Sequence, residues 1–268
     1  MVEFQRKDFY SYEDFLEIMR LLRAPGGCPW DREQTHSSIR RNFLEETYEV
    51  LDAIDHDDAS GMCEELGDVL MQVAFHAQIE AERGRFTMAN VVDGVARKLV
   101  YRHPHVFGDV QADTSQQVLA NWDVLKRREK GQRSTADAVE AVPHTLPALW
   151  RAEKIQSKTA KAGFDWTSSL QALDKLEEEA RELRAALEAG QAADAPHGIR
   201  EELGDTLFMA AKIAQMSGVD PEDALHRACD KFDRRFRAVE EAADKPLPEC
   251  GEAELLALWN DAKSHDPS

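Results

Sequence analysis

Apolar positions recur every three to four residues through most of the chain, and period-two alternation is scarce. This pattern predicts helices over 12–22, 36–57, 61–83, 88–102, 115–130, 145–161, 169–189, 197–217, 221–242 and 252–263. Residues suited to cap a helix stand where several begin: Ser11 with Asp14, Thr87 before Val91 and Val92, Thr114 with Gln117, Ser168 with Gln171, and Asp220-Pro221 with Asp223. No Asn-Gly or Asp-Gly turn joins two β-branched runs, so the expected fold is all-α. From Gly131 to Pro143 the apolar period lapses and turn formers gather, which predicts a linker over 131–143 between units at 1–130 and 144–268.

The two halves carry the same motifs in the same order, as an internal duplication would. The first has Gly27-Cys28-Pro29-Trp30, Glu45-Glu46-x-x-Glu49, Glu64-Glu65-Leu66-Gly67-Asp68, Lys98-x-x-x-Arg102 and Trp122-x-x-x-Lys126. The second has Gly163-Phe164-Asp165-Trp166, Glu178-Glu179-x-x-Glu182, Glu201-Glu202-Leu203-Gly204-Asp205, Lys231-x-x-x-Arg235 and Trp259-x-x-x-Lys263. Two tandem helical bundles follow as the expected architecture.

Residues three apart on a helix share a face, so Glu46 with Glu49 and Glu65 with Asp68 each form a carboxylate pair. If their helices pack side by side, four carboxylates converge; Glu179, Glu182, Glu202 and Asp205 repeat the set. Such a cluster repels itself without a cation, and oxygen-only ligands suit Mg²⁺, or Mn²⁺ as an alternative. A lone acidic stretch on a helix is ordinarily a solvated face. Here both Glu-x-x-Asp pairs open strongly apolar helices, with Val69 to Phe75 after one and Leu207 to Ile213 after the other. Such helices are expected to be buried, and buried carboxylates need partners.

Charge sharpens the picture. Fifty-one Asp and Glu against 33 Lys and Arg give a net charge of −18, opposite to the basic footprint of a general nucleic-acid binder. An anionic substrate would therefore need local cations. Lys98 with Arg102, and Lys231 with Arg235, supply them on single helix faces, while Trp259 and Lys263 suit a base and a phosphate. The four cysteines form no Cys-x-x-Cys pair, which argues against a zinc site or a disulfide framework. Charged residues Glu3, Arg6, Lys7 and Asp8 stand where a secretion leader needs an apolar stretch, and no run reaches the length of a spanning helix. The expected setting is cytoplasmic, with no membrane partner.

At these motifs the chain resembles the MazG family of nucleoside triphosphate pyrophosphohydrolases, across both halves. Gly27-Cys28-Pro29-Trp30-Asp31 with Glu45-Glu46-Thr47-Tyr48-Glu49 resembles the two-domain members in particular. The resemblance implies an all-α fold, an intertwined homodimer and Mg²⁺-dependent hydrolysis of ribo- and deoxynucleoside triphosphates to a monophosphate and pyrophosphate. It further implies metal ligands at Glu179, Glu182, Glu202 and Asp205, and substrate contacts at Lys175, Lys231, Arg235, Trp259 and Lys263. Glu178 or Glu179 is the expected base or water-orienting group. Just before Glu202, Arg200 alone stands where a further basic residue is expected, with Glu201 beside it. The first half has Asn42 in the place of Lys175, so Glu46, Glu49, Glu65, Asp68, Lys98 and Arg102 form a second site expected to be weak, regulatory or structural.

Three competing readings are weaker. A di-iron bundle needs Glu-x-x-His where this chain has Glu-x-x-Asp. His76, His103 and His105 read as packing or helix-end residues. A prenyl-diphosphate enzyme would show paired Asp-Asp-x-x-Asp motifs, and an inert ion-binding or partner-docking module would have no use for the lysines and tryptophan of the second half.

Overall fold

The computed structural model describes residues 2–266, and the regular structure among them is helical throughout. The chain forms two compact units, Met1–Lys126 and Arg127–Ser268. In the first unit lie α1 (Tyr12–Arg23), α2 (Pro29–Glu33), α3 (Arg40–Asp55), α4 (Ala59–Glu82), α5 (Met88–Arg102) and α6 (Pro104–Phe107), with α7 (Ser115–Glu129) crossing the boundary. The second holds α8 (Thr135–Glu140), α9 (Ala148–Ala160), α10 (Ser169–Glu188), α11 (Ile199–Met216), α12 (Pro221–Ala242), a 3-10 turn (Leu247–Glu249) and α13 (Glu252–His265).

All ten helices expected from the apolar period are present. The helices α2, α6 and α8 were not expected, because four to six residues are too few to display a period. α8 lies inside the stretch read as a linker. Its entry carries a capping box in which Ser134 and Asp137 satisfy each other's backbone N–H groups. α3 begins at Arg40 rather than 36, because Thr35 and Ser38 close a turn on each other, their amides donating to the opposite hydroxyls at 2.9 and 3.2 Å.

In the first unit α3 packs along α4 and α1 packs on α4. Met19, Ile39, Ala74, Phe75 and Ile79 form the core, with Phe15, Leu16, Leu22 and Met71 against it. The Gly26-Gly27-Cys28 turn returns the chain onto α1 so closely that a Cβ on Gly27 would lie 2.2 Å from the Leu21 carbonyl. In the second unit α10 packs along α11, α9 lies against α11 and α12, and α13 lies against α12. The two helices read as buried, α4 and α11, are covered on one face only. Leu66, Leu70, Leu203 and Leu207 remain exposed, because each unit supplies neighbours for a single side of its central helix. No helix among the described residues is long and apolar enough to cross a membrane.

Candidate metal centre

The central pair α10 and α11 carries the second acidic cluster. Ser168 caps α10, its hydroxyl accepting from the Gln171 amide at 3.2 Å, and Gly198 opens α11. Glu179 on α10 and Glu202 on α11 are buried at 7% and 5% exposure. With Asp205 they offer carboxylate oxygens that all lie within 4.8 Å of one another. Glu182, one turn after Glu179, lies outside that group of converging oxygens but interacts with Glu179. Burial raises its pKa first, and the neighbouring Glu179 raises it further. Asp205 is likewise raised, by burial and then by Glu179 and Glu201. The cluster thus holds more negative charge than its neighbourhood offsets.

One cation is already there. Lys175 Nζ lies 2.8 Å from Glu179 Oε1 and 2.5 Å from Glu178 Oε1. The two carboxylates push its pKa upward, and Lys175 in turn holds the Glu178 carboxyl below its ordinary range.

The first unit repeats the arrangement on α3 and α4. Glu46, Glu49 and Glu65 bring oxygens within 4.8 Å, and Asp68 stands close enough to raise the Glu46 pKa after burial has done so. Buried Gln72 hydrogen-bonds Glu46, and burial followed by Glu49 raises Glu65. Asn42 leaves this cluster without a lysine. The candidate cations nearby are engaged elsewhere: Arg102, 6% exposed, sits 4.9 Å from the Trp122 ring centroid and Lys126 sits 4.6 Å from it. Lys98 is exposed on α5.

Of the remaining candidate residues of the second unit, those on α12 lie on a helix packed against α11, and those on α13 lie on a helix packed against α12. Exposed Lys231 and half-buried Arg235 lie on α12, which packs against α11 and α13. Trp259 and exposed Lys263 lie on α13, where the Trp259 ring meets Phe232 at 5.2 Å between centroids. Arg200 points to Asp194 at 2.5 Å, and Glu201 accepts from the His197 amide at 2.8 Å. Both are therefore committed to the loop that leads into α11.

Two features near the cluster escaped the sequence. His197 Nδ1 lies 3.7 Å from Glu202 Oε1, on a residue whose φ of 54° is in the left-handed region. The Pro196-His197-Gly198 run was its only sequence signal. Lys212, 1% exposed, pairs with Asp165 at 2.5 Å, donates to Gln215 at 2.7 Å and lies 5.9 Å from the Trp166 ring centroid. It ties the Gly163-Phe164-Asp165-Trp166 motif to α11. A lysine in an apolar run gave no hint of that pairing.

Comparison with known proteins finds the same duplication. The model of the MazG nucleotide pyrophosphohydrolase domain matches twice, over residues 34–107 and 167–239. A nucleoside triphosphate pyrophosphohydrolase of Escherichia coli K12 is 46% identical over 226 residues, covering 84% of this chain and 85% of the relative. A nucleoside triphosphate pyrophosphohydrolase/pyrophosphatase MazG of Thermotoga maritima is 41% identical over 258 residues, covering 95% and 96%. A nucleoside triphosphate pyrophosphohydrolase of Mycobacterium tuberculosis is 44% identical over 154 residues, 56% of this chain and 45% of the relative.

Proposed function

The chain belongs to the MazG family and is a hydrolase, and from that premise we propose that its second unit cuts ribo- and deoxynucleoside triphosphates between the α and β phosphates. The products are a nucleoside monophosphate and pyrophosphate. The observation that carries this reading is the convergence of Glu179, Glu202 and Asp205 within 4.8 Å beside a lysine, with α11 also packed against the helix that carries Lys231 and Arg235.

The donor set fits Mg²⁺ or Mn²⁺. All candidate ligands are carboxylate oxygens, two of the carriers are buried, and the pKa values of Glu182 and Asp205 are raised by burial first and by the neighbouring Glu179 second. Glu179, Glu182, Glu202 and Asp205 would hold the ion. When bound, it would neutralise phosphate oxygens and favour ionisation of an attacking water. The side chains do the rest. Glu178, ionised beside Lys175, accepts a hydrogen bond from the water and aims it at phosphorus; Glu179 is the alternative for this role. Lys175 would keep Glu178 beside it and turn from Glu179 toward a phosphate oxygen. Lys231 and Arg235 neutralise the departing pyrophosphate, Trp259 stacks on the base, and Lys263 meets a phosphate. Arg200 and Glu201 act at the rim of the site.

The first unit serves a structural or regulatory role in this reading. Its cluster lacks the lysine, and its Trp122 ring is taken by Arg102 and Lys126. Homodimerisation is part of the same proposal, supported by the apolar residues left exposed on the central helices: Leu66 and Leu70 in one unit, Leu203 and Leu207 in the other. The chain then works on small nucleotides in the cytoplasm, without general nucleic-acid binding.

Incubation of the purified protein with ATP and Mg²⁺ should give AMP and pyrophosphate, with loss of turnover in EDTA and recovery with Mn²⁺. Glu179→Ala and Glu202→Ala should each abolish pyrophosphate release while far-UV circular dichroism stays unchanged. ADP and phosphate as products, or retained activity in both variants, would overturn the assignment.

A further inference from the structure

The second unit buries a carboxylate that the proposed chemistry does not use. Asp266, immediately after α13, has a side chain only 6% exposed. Its Oδ2 accepts from Arg235 Nε at 2.8 Å and its Oδ1 from Arg234 Nε at 3.3 Å. Arg235 is itself largely buried, at 16% exposure, whereas Arg234 is 55% exposed. Burial works to raise the Asp266 pKa, yet the hydrogen bonds from Arg235 and Arg234 outweigh it and leave the group below its ordinary value.

This arrangement has a consequence for Arg235. Asp266 engages the inner Nε of each guanidinium, so that contact does not use the outer amino fork of Arg235. A cavity of about 300 Å³ opens beside the pair, lined by Arg234, Arg235, His265 and Asp266 among others. A planar guanidinium fixed at Nε presents its fork in one direction, the geometry that suits a phosphate. Asp266 also joins two helices. α12 carries Lys231 and Arg235, α13 carries Trp259 and Lys263, and the Phe232 ring also meets Trp259 across that seam.

We propose that Asp266 is a positioning residue of the nucleotide clamp, fixing the Arg235 fork and holding α13 against α12 so that four substrate-binding side chains act together. The inference rests on the substrate roles given to Arg235 and its neighbours above. A buried carboxylate facing two arginines would be needlessly costly to desolvate if it served packing alone.

Steady-state kinetics with ATP and Mg²⁺ on the full chain provide the test. Asp266→Asn should raise KM about tenfold, the equivalent of one charge-assisted hydrogen bond, with kcat within about twofold. Asp266→Glu should recover most of the loss. Arg235→Gln should raise KM at least as much, and the double variant should be no worse than Arg235→Gln alone, because one residue acts through the other. Unchanged KM in Asp266→Asn alongside a raised KM in Arg235→Gln would overturn the positioning role and leave the clamp intact. Unchanged kinetics in Arg235→Gln would sink the clamp reading itself. Additive losses in the double variant would also overturn the proposal, by showing that Asp266 acts through stability and not through Arg235. Thermal midpoints of each variant identify any loss that comes from unfolding.

Discussion

At the scale of single residues, the two acidic clusters differ by one side chain that changes their electrostatics. Lys175 neutralises part of the second cluster, and Asn42 leaves the first uncompensated, with Glu46 and Glu65 pushed upward by burial and neighbouring carboxylates. Removing one acid from such a cluster relieves repulsion while removing a ligand. Glu202→Gln should therefore lower kcat by about a hundredfold or more and leave the ion-free thermal midpoint unchanged or raised. A lowered midpoint in calorimetry would mean that Glu202 is held by favourable contacts instead. Glu80 behaves in the opposite way. Its carboxylate takes hydrogen bonds from His36 at 2.5 Å and from Arg83 and Arg85, and those from His36 and Arg85 bring its pKa down to about 2 against the opposing effect of burial. A carboxyl depressed in the folded state stabilises it above the unfolded value of 4.5, and that contribution fades as pH falls toward 2. The wild type should thus lose more thermal stability than Glu80→Gln between pH 5 and about pH 2, while Glu80→Gln is the less stable protein at pH 7. Parallel pH dependences in the two would remove Glu80 from the account. His76, which accepts or donates at 2.7 Å to His36, packs against this group as a structural histidine.

At the scale of helices, the junction between the Gly163-Phe164-Asp165-Trp166 motif and α11 fixes how α10 enters. Lys212 is fully enclosed and its ammonium has Asp165, Gln215 and the Trp166 ring as partners. Removing one partner of a buried ion pair strands the other, although Asp165 keeps 29% exposure and so retains some water. Lys212→Met should cost about 3 kcal/mol in urea unfolding, and Asp165→Asn in that background should restore part of it. Additive costs would show that the two residues do not depend on each other. This pair also marks the limit of what the sequence conveys. Helices whose apolar period runs over three turns or more, such as α4 and α12, were legible, as were caps such as Ser11 with Asp14, because both are local properties. The carboxylate pairs on α10 and α11 were legible for the same reason, together with their repetition in the first half. Lys212 with Asp165, Asp266 with Arg235 and His36 with His76 were not, since each joins residues more than thirty positions apart. The pairing of Arg200 with Asp194 was equally hidden, because it depends on how the loop before α11 folds back on the helix start. The short α8 was read as linker because one and a half turns cannot show a period.

At the scale of the whole molecule, two properties pull in opposite directions. The central helices expose Leu66, Leu70, Leu203 and Leu207, and α5 adds Val92, Val95, Leu99 and Val100. Apolar surface of this extent on helix flanks favours association. The chain also carries a net charge of −18, so two copies brought together repel. Screening at the ionic strength of about 0.15 M, where the Debye length is ~8 Å, weakens that repulsion and leaves apolar burial almost untouched. A homodimer held this way should tighten as salt rises from about 10 mM to 300 mM, contrary to an association built on opposite charges. Sedimentation equilibrium across that range should show the dimer fraction increasing. Leu203→Arg with Leu207→Arg should shift the population toward monomer and make the thermal midpoint less dependent on protein concentration, because an obligate interface contributes stability by mass action. A monomer at every concentration and salt, or a dimer that dissociates as salt is added, would refute association through these helix flanks.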